Sequence, residues 1–157
     1  MNFATRLMRA VLTATGAMLL MGAMGDLAVA QSTPFQQTKS KNCAGISCVL
    51  SFPMPSGERR DAISVSCLVI MKADGRVGQA SLMAYNQADT KLATHTLVPV
   101  YTGLQGSSTW AQTAINNQLL AFVPPAGGKF EVWILGNTEA TTTMSMTCTI
   151  SGQRVKP

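Results

Sequence analysis

The stretch Ile63–Lys72, ISVSCLVIMK, constrains the fold more than any other part of the 157-residue chain. Ile63, Val65, Cys67, Val69 and Met71 stand two apart, so an extended backbone places all five on one face. Ser64 and Ser66 point the other way. Leu68 and Ile70 then make that second face apolar too. A strand apolar on one face at its start and on both at its end belongs in the middle of a sheet, with its end covered. Cys67, at its centre, is a natural disulfide anchor.

The same alternation returns in Thr141–Ser151. Met144, Met146, Cys148 and Ile150 face one way; Thr143, Ser145, Thr147, Thr149 and Ser151 face the other. That pattern describes a half-buried antiparallel strand with a hydroxyl-covered outer face. Between and around these two strands the sequence predicts others at Cys48–Phe52, Val77–Tyr85, Leu92–Tyr101, Trp110–Ile115, Gln118–Val123 and Lys129–Leu135. Turn chemistry separates them. Pro53–Arg60 carries Pro and Gly, Asp74-Gly75 is a hairpin signal, Asn116-Asn117 can turn the chain, and Pro124–Gly128 reads PPAGG. Pro99 suits an edge strand or a bulge. No helical period competes. The expected fold is all-β, an antiparallel β-sandwich of about seven to eight strands stapled by disulfides.

The first 30 residues read as a secretory signal peptide. Arg6 and Arg9 form its basic start, Ala10–Met24 its apolar stretch, and Ala28-Val29-Ala30 a cleavage site before Gln31. The apolar run falls short of a membrane span, so no stable anchor is expected after cleavage. Residues 31–42, polar and aperiodic, read as a flexible N-terminal arm, and 43–157 as the sandwich domain. Removing Arg6, Arg9 and Asp26 leaves ten basic and six acidic side chains, a charge of +4. The basic residues are scattered and form no stripe interleaved with aromatics, which argues against nucleic acid.

All four cysteines, Cys43, Cys48, Cys67 and Cys148, follow the cleavage site. An even number in an exported chain implies two disulfides rather than a metal site, and Cys43-x4-Cys48 is not a zinc-knuckle spacing. Cys43 with Cys48 and Cys67 with Cys148 is the favoured pairing. A turn near Gly57-Glu58 would instead set Cys48 opposite Cys67 and leave Cys43 for Cys148. The segments Phe52–Arg59 and Phe122–Lys129 share F-x-x-P-x-G-x-basic. Reuse of one turn chemistry accounts for that echo, and a duplicated hairpin is the bolder alternative.

The runs CVLSFPMPSGERR, ISVSC, FVPPAGG and CTISG resemble a group of small uncharacterised exported bacterial proteins with a "VP-x-G…VSC…TISG" pattern. The resemblance covers Cys48 to Gly152. It implies export and a β-sandwich, and it carries no catalytic or binding residue.

No constellation for chemistry emerges. The single histidine, His95, sits in a Thr-rich strand with no G-x-S-x-G elbow elsewhere, and reads as a strand residue rather than a base. Glu58, Asp61, Asp74, Asp89, Glu131 and Glu139 lie in or beside turns, with nothing to pair two of them for acid–base work. Met144 and Met146 offer thioethers that suit monovalent copper, but on one strand face with Cys148 they read as core. No catalytic residue, cofactor or metal is expected. Function on a sandwich often sits on loops held by the frame. Tyr101 and Trp110 flank the polar loop TGLQGSST and are the candidate surface for a protein or carbohydrate partner. Trp133, opposite Phe130, Val132 and Ile134 in strand parity, is the competing aromatic. The expected function is a non-enzymatic binding or interaction module, periplasmic or extracellular. The alternatives are a structural component of the envelope or a surface assembly, and a small inhibitor of a secreted enzyme.

Overall fold

The computed structural model describes residues 32–72, 75–105, 110–137 and 143–156, with backbone only at 104, 105, 110 and 111. The expected signal peptide and cleavage site lie outside the described residues. The described chain forms nine strands: β1 Ser32–Ala44, β2 Ser47–Met54, β3 Arg59–Lys72, β4 Val77–Asn86, β5 Lys91–Leu97, β6 Pro99–Gln105, β7 Trp110–Val123, β8 Gly128–Gly136 and β9 Thr143–Val155. They build two antiparallel sheets, one five-stranded in the order β1-β9-β3-β7-β6 and one four-stranded in the order β2-β8-β4-β5.

The fold is a disulfide-stapled β-sandwich, and the alternation in sequence explains it. Val65, Cys67, Val69 and Met71 of β3 and Met144, Met146, Cys148 and Ile150 of β9 turn their side chains into the shared core. The facing sheet answers with Phe52, Leu82, Phe130, Val132 and Ile134, each sealed from solvent. Phe52 and Phe130 stand directly opposite one another on β2 and β8. Burying side chains of this size stabilises by about 1.5–3 kcal/mol each. As its pattern predicts, β3 is central, with β9 on one side and β7 on the other.

Both disulfides join the favoured partners, Cys43 with Cys48 and Cys67 with Cys148. The second bond links directly opposed residues on adjacent strands, with Cα atoms 4.1 Å apart. Such close spacing belongs to a non-hydrogen-bonded antiparallel pair. The first bond ties the end of β1 to the start of β2 across the bend at Gly45-Ile46, where the chain passes between sheets. Two disulfides fit an oxidising, exported environment.

Several local expectations are corrected. Residues 31–42, read as a flexible arm, are instead strand β1 from Ser32 onward, hydrogen-bonded along its length to β9. The arm looked aperiodic because both faces are polar. One carries Thr38 and Ser40. The other carries Lys39 and Lys41, whose ammonium groups cross to the edge of β2 and donate to the carbonyls of Ser51 (2.7 Å) and Val49 (3.2 Å). Asn116-Asn117 does not turn the chain: β7 runs unbroken, and Asn117 Oδ1 accepts from the Val98 N–H at 3.0 Å. Leu92–Tyr101 is not one strand, because the chain changes sheets at Val98 between β5 and β6. Thr102–Gln105, read as loop, extends β6.

Asp74-Gly75 does not close a hairpin. Ala73 and Asp74 lie outside the described residues, but the flanking β3 and β4 belong to different sheets. Ile63 leaves the core face because a bulge between Ala62 and Ser64 turns it outward, 42% exposed. Pro99 sits on an edge strand as expected, whereas Pro34 and Pro53, read in the arm and in a turn, are strand residues. All three lie on edge strands, where a missing N–H breaks no ladder.

The two echoing turns lie against each other at one end of the sandwich. The Gly57 N–H donates to the Pro125 carbonyl at 2.7 Å. Gly57 and Gly127 both take positive φ, 103° and 94°, which a side chain would resist. Each turn carries the chain from one sheet to the other, so the shared motif marks one way of switching sheets.

Candidate functional site

The outer face of the five-stranded sheet follows from the alternation that built the core. Residues one step out of phase with the buried set point to solvent and align across strands by register. One row runs Gln36, Ser151, Ser64 and Gln118 across β1, β9, β3 and β7. The next is Thr38, Thr149, Ser66 and Asn116. Beyond it come Ser40, Thr147, Leu68 and Ala114, then Asn42, Ser145, Ile70 and Gln112. Hydroxyls and amides dominate, with apolar side chains confined to the last two rows, and none of these side chains is charged.

Cross-strand hydrogen bonds fix this array. The hydroxyls of Thr38 and Thr149 meet at 2.8 Å, those of Ser40 and Thr147 at 2.8 Å, and those of Ser64 and Ser151 at 2.6 Å. The Ser66 hydroxyl donates to Asn116 Oδ1 at 2.6 Å. Such pairs are the usual unit of sheet stabilisation. Two shallow concavities open on this face. One, of about 460 Å³, is lined by Pro34, Gln36, Ile63, Ser64, Ser151 and Gln153 among others. A second, of about 330 Å³, is lined by Ser64, Ser66, Asn116, Asn117 and Gln118 with Val65. They meet at Ser64.

Charge borders the array without entering it. Beyond the first row, Arg59 grips Asp61 side-on through Nε and Nη2, at 2.6 and 3.0 Å, and lies 5.0 Å from the Phe122 ring centre. Exposed Lys72 closes β3 at the other end. Arg60, in the row opposite Arg154, pairs with Glu58 at 3.0 Å. Burial pushes its guanidinium pKa down, opposed by Glu58.

The other candidates from sequence fall elsewhere. Tyr101, 43% exposed, sits on the core side of the sheet at its β6 edge, opposite Thr113, with Arg76 stacked 4.1 Å from its ring centre. Trp110 begins β7, opposite Gln105 and Lys72, so the pair share one hairpin. The Trp110 side chain and residues 106–109 lie outside the described residues. Trp133 is half-buried on the outer face of the four-stranded sheet, its indole N–H donating to Ser47 Oγ at 3.0 Å. His95 is a half-buried residue of β5 opposite Leu82. Met144 and Met146 are core, sealed from solvent. Among the described residues no three His, Cys, Asp or Glu side chains gather to hold a metal.

Sequence reasoning identified the hydroxyls of β9 and the outward serines of β3. It missed β1 and the amides of β7 because those strands were misplaced. The available signal was the matching run of small polar residues at alternate positions in 36–42.

No known protein family matches the sequence, and no curated protein does. Among solved structures the chain is similar to two of infectious bursal disease virus. The Gt-strain structure gives 9% identity and a TM-score of 0.38, covering 80% of this chain and 40% of that one. The Gx-strain structure gives 8% and 0.38, covering 80% and 36%. This chain therefore spans well under half the length of either.

Proposed function

We propose that the chain is an exported, non-enzymatic binding module that meets its partner on the outer face of the five-stranded sheet. One observation carries the reading. This broad face is solvent-facing, uncharged, and held in fixed register by hydroxyl–hydroxyl bonds between strands. A face locked in this way recognises without reorganising, which lowers the cost of binding. Tyr101, on the core side at the β6 edge, and Trp110, at the start of β7, mark the β6–β7 hairpin as the competing site. The resemblance to small exported bacterial proteins and the signal-like first 30 residues support passage across a membrane, into the periplasm or beyond.

The test is affinity capture from the envelope and secreted fractions, with the exported protein as bait. Ser66→Arg and Thr147→Arg, both at exposed positions, should abolish capture while leaving the circular dichroism spectrum unchanged. Retention by both variants, with loss on Tyr101→Ala, would move the site to the β6–β7 hairpin. Concentration-dependent oligomers in place of a captured partner would favour the structural-component alternative.

A further inference from the structure

We infer that the ligand of this face is a neutral glycan chain, laid across the strands from Gln36 through Ser151 and Ser64 to Asn116. The inference rests on the proposal that the outer sheet face is the binding surface, and it specifies the chemistry of the partner.

The hydrogen-bonding inventory points to a polyol. In a hydroxyl pair one group donates to the other, which leaves one O–H donor and three lone pairs free per pair. Thr38–Thr149 and Ser64–Ser151 are such pairs. Ser66 donates to Asn116 Oδ1, so the Asn116 amide retains two donors and Ser66 its lone pairs. The surface thus offers donors and acceptors side by side at fixed spacing. A chain of sugar hydroxyls, each both donor and acceptor, matches it. A polyanion needs donors backed by positive charge, and the nearest guanidinium on this face, Arg59, is already held by Asp61.

Shape agrees with the chemistry. The two concavities meet at Ser64 and together run perpendicular to the strands. Four strands at about 4.8 Å spacing give the line a length of roughly 14 Å, enough for a short run of sugar rings. Ile63, pushed outward by the bulge, and Pro34 supply apolar surface for the C–H faces of the rings.

Affinity electrophoresis tests this directly. The exported protein is run through gels containing dextran, mannan, xyloglucan or a mixed-linkage β-glucan. At least one should retard it, and retardation should be unchanged between about 0.05 and 0.5 M salt, since no charge pair is involved. Ser66→Lys and Asn116→Lys should weaken binding roughly tenfold or more, each losing a hydrogen bond and placing an unmatched charge against the sugar. Thr94→Lys, exposed on the other sheet, should leave it intact. Retardation by none of the four, retardation that survives both lysine variants, or binding only to polyanions with loss in salt would each overturn the inference. If no glycan binds but Ser66→Arg still abolishes capture of a partner protein, the binding face stands and the glycan falls. If the charge variants change neither assay, both fall.

Discussion

The centre of this sandwich and its rim are held by the same devices in different strengths. At the centre, Cys67 and Cys148 join strands 81 residues apart in sequence, between β9 and β3, with the core beneath them. At the rim, Cys43 and Cys48 join residues five apart across a bend. The chain-entropy model values the first closure at about 4–5 kcal/mol and the second at about 2 kcal/mol. Contacts between strands follow the same gradient. Gly152 lies so close to β3 that a Cβ there would collide with the Asp61 carbonyl, whereas the rim is bridged by exposed lysines reaching the free edge of β2. The centre defines the fold. The rim protects it, because unpaired edge carbonyls invite foreign strands and lysines occupy them.

The largest expected effect breaks the centre. Cys67→Ser should lower unfolding stability by about 4–5 kcal/mol, and by more where the orphaned hydroxyl and thiol stay buried. Cys43→Ser should cost about 2 kcal/mol. Denaturant unfolding of both variants measures the gap. Equal losses would show that the two staples do not differ as their positions imply.

The cost of Gly152→Ala should be comparable to the loss of the rim disulfide. Its methyl group has no room beside Asp61, so strands β3 and β9 must part at the bulge. Overpacking of this kind costs about 1–3 kcal/mol. Gly57→Ala at the rim meets nothing within 4 Å, and its penalty comes only from the positive φ, about 1 kcal/mol. Thermal melts of the two variants should rank them in that order.

The same gradient decides what the sequence reveals. Strands β3 and β9 are legible because their inner residues are fully buried, so burial writes a period of two into the residue types. Strand β1 has no such signature. Its inner positions hold Gln37, Lys39 and Lys41, and pairing with β9, far off in sequence, makes it a strand. Asp74-Gly75 announces a reversal, but local turn chemistry does not state which sheet the next strand joins. Asn117 reads as a turn former because its side chain bonds backbone readily; here it does so across to Val98 while β7 continues. Of the candidate face, the β9 hydroxyls and the β3 serines were readable. The lattice they form with β1 and β7 depends on non-local register, which one strand's residues do not encode.

The smallest effect lies on the exposed face of the other sheet, and it separates surface charge from both staples. Lys129 reaches Glu131 at 2.9 Å and Asp89 at 3.0 Å, and its ammonium lies 5.1 Å from the Tyr85 ring centre. Its pKa is raised above the ordinary 10.5, first by the hydrogen bond to Glu131 and then by that to Asp89. A raised folded value means the charged form is favoured in the native state. The contribution is therefore complete below pH 10.5 and disappears as pH climbs through the folded pKa. Lys129→Met should lower the melting temperature slightly and evenly across neutral pH, with the difference from wild type closing above pH 10.5. High salt should also shrink it, because exposed pairs are screened. A deficit that persisted unchanged at pH 11 would mean that the lysine acts through its stem packed on Tyr85, as buried contacts at the centre do, and not through its charge.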